Sequence, residues 1–276
     1  MKTILVVANE TLGGAALLDR IRDHAKAEGG DVRVVICVPR TKPRHGNIIY
    51  DEAVYDAAQV RIDLARSVLR AEGIDAIGEP GDPDPYTATM DAAAEYEPDL
   101  IIISTLPVIS SGWLRRDLIE RVSDAAGVPV EHVVADIDNE GLPFKVTLVV
   151  ANRTASSAPL RETLVSKAEG DDRHLFVVVI PQEGGEGLHA RRARGRLNQV
   201  VERLRGDGLF AAGMIGDPDP YTATMNGVQS FRVDDIVIST LPETRSGWMR
   251  TDLTSRVRKA SGKPVEHVAA EAPTAA

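Results

Sequence analysis

The sequence predicts an α/β protein built from two similar halves, each a doubly wound, five-stranded parallel sheet covered by helices. The segment GDPDPYTATM occurs twice, at residues 81–90 and 216–225, and the shorter segments ISTLP, SGW and PVEHV recur at the same spacing. Repeats this far apart indicate two homologous domains rather than a solenoid of short units. Within each half, apolar runs alternate with segments of helical pattern, which is typical of a parallel sheet with helices on both faces.

The first predicted strand covers residues 3–8, an apolar run rich in β-branched side chains. The turn NETLGG leads from it into a helix over residues 15–27, and a strand, a glycine-containing turn and a helix in this order begin a parallel unit. The second strand covers residues 32–38, where VRVVICV is almost continuously apolar. A long helix over residues 48–72 follows it.

The third strand is short, at residues 74–77, and the helix after it covers residues 85–96. That helix begins at a proline, which the first helical position tolerates because its N–H has no partner there. A fourth strand covers the apolar run at residues 100–104. A helix over residues 113–126 and a last strand over residues 130–135 complete the first half.

The second half repeats this series over residues 145–270. The predicted domains therefore cover residues 1–138 and 144–270, joined by a linker at residues 139–143 that carries polar residues, Gly and Pro. The last six residues, 271–276, read as a flexible tail.

The composition of the chain argues against several classes of function. A net charge of −9 argues against a general nucleic-acid binder, because neutralising phosphates needs a concentrated positive surface. The apolar run at the amino end is too short for a membrane span or a signal sequence, so we expect a cytoplasmic protein with no membrane partner. The single cysteine, Cys37, allows no disulfide framework and is expected to be a buried thiol.

A basic cluster, HARRARGR, stands at residues 189–196. We interpret it as the solvated face of a helix rather than as a docking patch. The apolar residues that would anchor this helix are Leu197, Val200, Val201 and Leu204.

The duplicated GDPDPYTA segment has a structural explanation. Gly81 permits a tight turn, Asp84 can cap the next helix, and Pro85 fits its first position. The alternative is a metal ion held by Asp82 and Asp84, but two carboxylates without a third ligand make a weak site.

The helix after the fourth strand carries several charged and aromatic residues. Asp117 and Arg121 are four residues apart and are predicted to pair along its exposed side, as are Asp252 and Arg256. Arg115 and Arg250 lie in the first turn, where a cation opposes the helix dipole, so a nearby anion or carboxylate is indicated. The two tryptophans, Trp113 and Trp248, are expected to pack in a core or interface, with stacking on a ligand as the alternative.

Two histidines, His132 and His267, lie in the last strand of each half. Because His132 alternates with Val130 and Val134, we expect a packed or interface imidazole rather than a catalytic one. The chain contains no nucleophile elbow, Walker loop or dinucleotide fingerprint, so no catalytic residue is predicted.

The wording GDPDPYTATMDAAAEYEPDLIIIST, with its Gly-Asp-Pro turn, alanine-rich helix and Asp-Leu-Ile strand start, resembles the universal stress protein family. The PVEHVV ending is also similar to that family's last strand. The resemblance covers both halves and implies two tandem domains of strand order 3-2-1-4-5. It further implies that the domains pair within the chain through their last strands as a pseudo-dimer, with a homodimer as another arrangement.

The nucleotide-binding members of that family carry an aspartate after strand one and a loop G-x-x-G-x9-G-[ST] after strand four. Asn9 and Asn152 replace the aspartate here. A proline without an N–H, an aspartate that repels phosphate and a leucine without a hydroxyl replace the loop residues, so the usual triphosphate cradle is not expected. The four loop positions hold Ser104, Pro107, Asp117 and Leu118 in the first half and Ser239, Pro242, Asp252 and Leu253 in the second.

A doubly wound sheet binds its ligands at the carboxyl ends of the strands, where the winding reverses. The candidate ligand-binding residues therefore follow strands one, two and four of each half. In the first half they are Asn9, Val38, Thr105, Ser110, Ser111, Gly112 and Arg115. In the second half they are Asn152, Ile180, Thr240, Ser246, Gly247 and Arg250.

Three functional hypotheses follow. The first is a non-enzymatic binding or regulatory module in the stress response, with no metal and no obligatory cofactor. The alternative is an adenine-nucleotide-binding stress protein, for ATP or AMP, that uses a rewired loop after strand four and hydrolyses ATP weakly. An α/β enzyme acting on a small acid is a third reading, which lacks a visible base and nucleophile pair.

Overall fold

The structure is a computed structural model, and it describes residues 1–40, 51–107, 117–170, 173–182, 188–242 and 252–270. The described residues form ten strands and nine helices. They fall into two compact units, the first made of Met1–Lys42 and Ala57–Pro143, the second of Pro43–Asp56 and Phe144–Ala276.

The elements of the first unit alternate strictly between strand and helix up to β5. They are β1 (Lys2–Val7), α1 (Ala15–Ala27), β2 (Val32–Pro39), α2 (Asp51–Ala71), β3 (Asp75–Gly81), α3 (Pro85–Tyr96), β4 (Leu100–Thr105), α4 (Leu118–Ala125), β5 (Val130–Val134) and the short α5 (Ile137–Glu140). The first six residues of α2 are grouped with the second unit.

The second unit repeats the series. Its elements are β6 (Lys145–Val150), α6 (Ala158–Ala168), β7 (His174–Pro181), α7 (Leu188–Gly206), β8 (Phe210–Gly216), α8 (Pro220–Ser230), β9 (Asp235–Thr240), α9 (Leu253–Ser261) and β10 (Val265–Ala269).

Each unit contains one five-stranded sheet in which all the neighbouring strands are parallel. The orders are β3-β2-β1-β4-β5 and β8-β7-β6-β9-β10. The predicted fold class, with strand order 3-2-1-4-5 in both halves, is therefore confirmed. The winding reverses beside the central strand, so the carboxyl ends of β1 and β4, and of β6 and β9, meet at one edge of their sheet.

The central strands are apolar because helices cover both of their faces. In β1, Ile4, Leu5 and Val6 are fully buried, and β4 is buried along its whole length. The buried anchors predicted for the basic helix are confirmed, since Leu197, Val200, Val201 and Leu204 all lie in the core of the second unit. Cys37 is likewise a buried free thiol, as predicted, and burial raises its pKa to about 12.

Several element boundaries differ from the sequence-based expectation, most of them by one residue, and three of the differences bear on the site or the linker. The third strand extends to Gly81, because its last residues pair with the end of β2, Pro39 opposite Gly81. Among the described residues the helix after β4 begins at Leu118, while residues 108–116 lie outside the described ranges. The predicted linker begins inside α5, where Ile137 is buried beside Ala135.

Candidate functional site

The carboxyl edge of the first sheet brings three predicted ligand-binding residues close together in the fold. Val7, near the end of β1, pairs with Cys37 of β2 and with Ile103 of β4. Asn9, Val38 and Thr105 follow these positions within two residues. Val38 is fully buried, as is Ile180 in the second unit, so these two side chains belong to the core and only their backbone lies along the edge.

Seven of the predicted ligand-binding residues, and both tryptophans, lie outside the described residues. The ligand-binding residues are Ser110, Ser111, Gly112, Arg115, Ser246, Gly247 and Arg250. The described part of the predicted site therefore consists of the strand ends and the first turns after them.

Asn152 stands after β6 at the position that corresponds to Asn9 after β1. Its Nδ2 donates to the carbonyl oxygen of Pro181 at 3.2 Å, which fixes the orientation of the amide. Its Oδ1 is buried, and no donor among the described residues reaches it. The amide oxygen of Asn152 is therefore an oriented acceptor at the carboxyl edge of the second sheet.

Buried hydroxyls connect the first turn to the end of β4 and of β9. Thr11 Oγ1 donates to the carbonyl oxygen of Ser104 at 3.1 Å, and Ser239 Oγ donates to Thr154 Oγ1 at 2.9 Å. All four residues are at most 2% exposed. These contacts, which the sequence analysis did not anticipate, hold the turn after strand one against strand four in both units.

A threonine and a histidine form the same contact in both units. Thr105 Oγ1 lies 2.9 Å from His132 Nε2, and Thr240 Oγ1 lies 2.8 Å from His267 Nε2. In each pair the threonine and the histidine are 27 residues apart in the sequence. Parallel pairing of β4 with β5, and of β9 with β10, places the two side chains on one face at the carboxyl edge.

The second pair shows which group donates. Thr240 Oγ1 also donates to the carbonyl oxygen of Leu241 at 2.8 Å, and a hydroxyl has only one proton. Nε2 of His267 must therefore donate to Thr240, and Nδ1 of the neutral ring remains an acceptor. In this arrangement the histidine does not draw a proton from the threonine, which a nucleophilic mechanism would require.

Of the two alternatives for the histidines, packing within the domain is wrong for the rings themselves, and an interface role stays a prediction. His132 and His267 are exposed, and Val134 on the same face as His132 is 46% exposed. Partial desolvation lowers the pKa of His132 below its ordinary value. The alternation with valines predicted a covered face. Because β5 is the end strand of its sheet, this face is only partly covered.

The capping part of the structural interpretation of GDPDPYTA is confirmed in both units, whereas Gly81 is the last residue of β3 rather than a turn residue of positive φ. Asp84 Oδ2 accepts from the backbone N–H of Thr87 at 3.0 Å, and Asp219 accepts from Thr222 at 2.9 Å. Asp82 Oδ1 accepts from the N–H of Asp84 at 2.8 Å in a tight turn. Since no cluster of three metal-ligating side chains occurs in the described ranges, the competing metal site gains no support.

The predicted pairing of Asp117 with Arg121 is wrong. The Arg121 guanidinium lies 4.0 Å from the centre of the Tyr86 ring, and Arg256 lies 4.4 Å from that of Tyr221. Asp117 precedes the helix with a left-handed φ of 49°, so its side chain is not on the helical face that an i,i+4 pair requires.

The end of the loop after β4 is unsuited to a phosphate. Asp117 is exposed at the amino end of α4, where its negative charge would oppose an anion, and Glu120 follows in the first turn. Leu118, at the position of the family's hydroxyl residue, is 1% exposed and packs in the core. Asp252 and Leu253 repeat this arrangement in the second unit.

In the described part of the chain, no helix combines the length and apolarity needed to cross a membrane.

No protein-family model matches the chain, and no curated protein sequence matches it. Solved structures similar to it include a universal stress protein from Archaeoglobus fulgidus, with 21% identity over 48% of this chain and 93% of that one and a TM-score of 0.36. A universal stress protein from Archaeoglobus fulgidus DSM 4304 is 16% identical over 97% of this chain and 96% of that one, with a TM-score of 0.36. A functionally unknown protein from Pseudomonas aeruginosa PAO1 is 15% identical over 98% and 93%, with a TM-score of 0.32. These likenesses are distant, so the functional inferences below rest on the chain's own residues.

Proposed function

We propose that the chain is a non-enzymatic, two-domain binding module of the stress-response type, with a small polar ligand bound at the carboxyl edge of each sheet. The observation that carries this proposal is the threonine–histidine pair that both units hold at that edge. The stress-response assignment is supported by the wording of the repeat and by the strand order.

The chemistry of the pair favours binding over catalysis. Thr240 accepts from His267 and donates to a backbone carbonyl, so its hydroxyl is held in place rather than activated. The imidazole Nδ1, which lies across the ring from the Nε2 that contacts the threonine, remains an acceptor and suits a ligand with hydroxyl or amine donors. The acidic residue at the start of α4 and α9 disfavours a triphosphate at the same edge.

A ligand screen on the full chain tests the proposal. Small polar molecules that bind should raise the melting temperature of the purified protein, and the combined change Thr105→Val and Thr240→Val should remove that rise. Thr163→Val is the matched control, because the Thr163 hydroxyl donates to the carbonyl oxygen of Pro159 within α6, away from the strand ends. Multiple turnover of any screened molecule by the purified chain would contradict a non-enzymatic role.

A second candidate, an adenine-nucleotide-binding protein for ATP or AMP, is favoured by Asn152. Its oriented Oδ1 would accept from an adenine amine or a ribose hydroxyl. Calorimetry with ATP and with AMP tests this function. Saturable heat that Asn152→Leu abolishes, and that Arg115→Ala with Arg250→Ala weakens, supports it; no heat at millimolar nucleotide rejects it and leaves the first proposal standing.

A further inference from the structure

The amino end of the second sheet carries a polar network at positions that are apolar in the first unit. Lys145 pairs with His174 as Lys2 pairs with Val32, and Thr147 pairs with Asp235 as Ile4 pairs with Leu100. Buried Ile4, Val32 and Leu100 thus correspond to Thr147, His174 and Asp235. The second unit therefore carries three hydrogen-bonding side chains at positions that the first unit fills with apolar side chains.

The network joins three neighbouring strands and a helix. Thr147 on β6 is fully buried, and its Oγ1 lies 2.6 Å from His174 Nε2 on β7 and 2.5 Å from Asp235 Oδ1 on β9. Asp235 Oδ2 accepts from Lys167 Nζ of α6 at 2.6 Å. The same ammonium lies 3.1 Å from Glu266 on β10.

The other side of the imidazole is also fixed. His174 Nδ1 lies 3.1 Å from the carbonyl oxygen of Lys167, and the ring stacks on Phe176 with the two planes 4° apart. A carbonyl oxygen only accepts, so Nδ1 must carry a proton in this contact. The tautomer of the neutral ring is therefore set by the backbone of α6.

Counting protons shows that a neutral His174 cannot satisfy every contact. With the proton on Nδ1, the neutral ring accepts the Thr147 hydroxyl proton at Nε2, and Asp235 Oδ1 then faces an oxygen with no proton between them. In the imidazolium, Nε2 donates to Thr147, and the hydroxyl is released to donate to Asp235. One additional proton thus completes the chain of hydrogen bonds from β7 to β9.

We propose that protonation of His174 is a switch that turns the Thr147 hydroxyl from the imidazole to Asp235, so that one side chain links β6 to both of its neighbouring strands. The switch makes the second unit responsive to acid, a property that the apolar first unit lacks at these positions. It is a regulatory device separate from the ligand-binding edge, which lies at the opposite end of the strands.

The groups around His174 shift its pKa in opposite directions. Burial lowers the pKa of His174, the carboxylates of Asp235 and Asp234 raise it, the carbonyl of Lys167 raises it, and the ammonium of Lys167 lowers it. Glu266 acts on the ring through the Lys167 ammonium that it contacts. Because burial is the largest of these effects, the pKa of His174 lies below its ordinary value, and we expect the switch to operate below that value.

Nuclear magnetic resonance of the full chain labelled with 15N-histidine tests the switch. Long-range 1H–15N correlations from about pH 5 to about pH 8 report the tautomer and the midpoint of each ring. We expect the neutral form of His174 to carry its proton on Nδ1. A neutral form protonated on Nε2 would overturn the proposal, because Nε2 then has no acceptor role to give up.

A double-mutant cycle tests the relay through Thr147. Asp235→Asn should lower the proton affinity of His174 by about tenfold. The change removes the carboxylate that accepts the Thr147 hydroxyl proton when His174 is protonated. In a Thr147→Val background the same change should have a clearly smaller effect. Equal effects in both backgrounds would show that Asp235 acts without the hydroxyl and would reject the switch.

The first unit supplies a matched control for folding. The triple variant Thr147→Ile, His174→Val and Asp235→Leu carries the residues that β1, β2 and β4 already pack. We expect it to fold and to lose the pH-dependent shifts of the β6 and β9 amides that accompany the His174 midpoint in the parent protein. Retention of those shifts in the triple variant would contradict the proposal.

Discussion

The Arg121 guanidinium lies 4.0 Å from the centre of the Tyr86 ring and thereby ties α4 to α3. Arg256 and Tyr221 repeat the contact between α9 and α8 at 4.4 Å. Tyr86 and Tyr221 belong to the duplicated ten-residue segment, whereas the arginines follow the loop after strand four. The stacking gives the tyrosine of the repeat a structural role and anchors the helix that follows strand four in each unit.

Loss of this stacking should weaken the first unit modestly. We expect Tyr86→Leu to lower the free energy of unfolding by about 0.5 to 1 kcal/mol beyond the effect of lost area, as for other partly exposed cation–π pairs. Urea denaturation of Tyr86→Leu, Arg121→Met and the double variant gives the coupling energy. Zero coupling would mean that the contact contributes nothing, and Tyr221 with Arg256 provides an independent repeat.

Gly81 is required by close packing. A Cβ atom there would lie 2.7 Å from the Cβ of Ala88 and 2.7 Å from the Sγ of Cys37. Gly81→Ala should therefore cost about 1 to 3 kcal/mol of stability, because neither neighbour can withdraw. Gly195→Ala is the control, since nothing lies within 4 Å of its added Cβ and a helical alanine should stabilise by about 0.5 to 1 kcal/mol. Thermal denaturation measures both changes in stability. Equal changes for Gly81→Ala and Gly195→Ala would refute the packing explanation.

Asp84 separates the capping role from the metal role of the GDPDPYTA segment. Asp84→Ala removes the acceptor of the Thr87 N–H and should lower the free energy of unfolding by about 1 kcal/mol, and Asp84→Ser should restore most of it. Addition of a chelator or of a divalent cation should leave the melting temperature of the parent protein unchanged. A cation-dependent rise that Asp84→Ala abolishes would instead favour a metal site.

The pH dependence of stability should carry the signature of two histidines. Desolvation lowers the pKa of His132 and is the largest of the causes that lower the pKa of His174, so between those lowered values and the ordinary value of 6.5 the unfolded chain binds more protons than the folded one. Their contribution to stability is therefore present above that pH and is lost as the pH falls toward the lowered values. Denaturant unfolding at several pH values should show a smaller acid loss in His174→Val and in His132→Gln, and an unchanged or larger loss would contradict the assigned directions.

Local signals in the sequence predicted some boundaries correctly. The helix at residues 85–96 was placed at its observed bounds, because Asp84 and Pro85 mark its start without help from the rest of the fold. The end of β3 was missed, since Gly78, Pro80 and Gly81 have low strand propensity and are extended only by pairing with β2. Tertiary pairing overrode local preference there.

The candidate site was harder to predict for the same reason. Thr105 and His132 both fall in repeated segments, but their contact depends on the register between β4 and β5. Only the equal spacing of 27 residues in the two halves could have suggested the pairs. The His174 network had no such repeat to reveal it, because the first unit holds apolar residues at the same positions.

The duplicated segment also bears on how the chain finds its native arrangement. During folding, nothing within residues 81–90 distinguishes them from residues 216–225, and each copy needs the same glycine-sized gap beside a neighbouring strand. Tandem domains of like sequence are prone to misassembly, in which a segment of one domain packs in the place of its counterpart in the other. The strand immediately before each copy does distinguish the two, since β3 carries Glu79 and Pro80 where β8 carries the buried Met214 and Ile215.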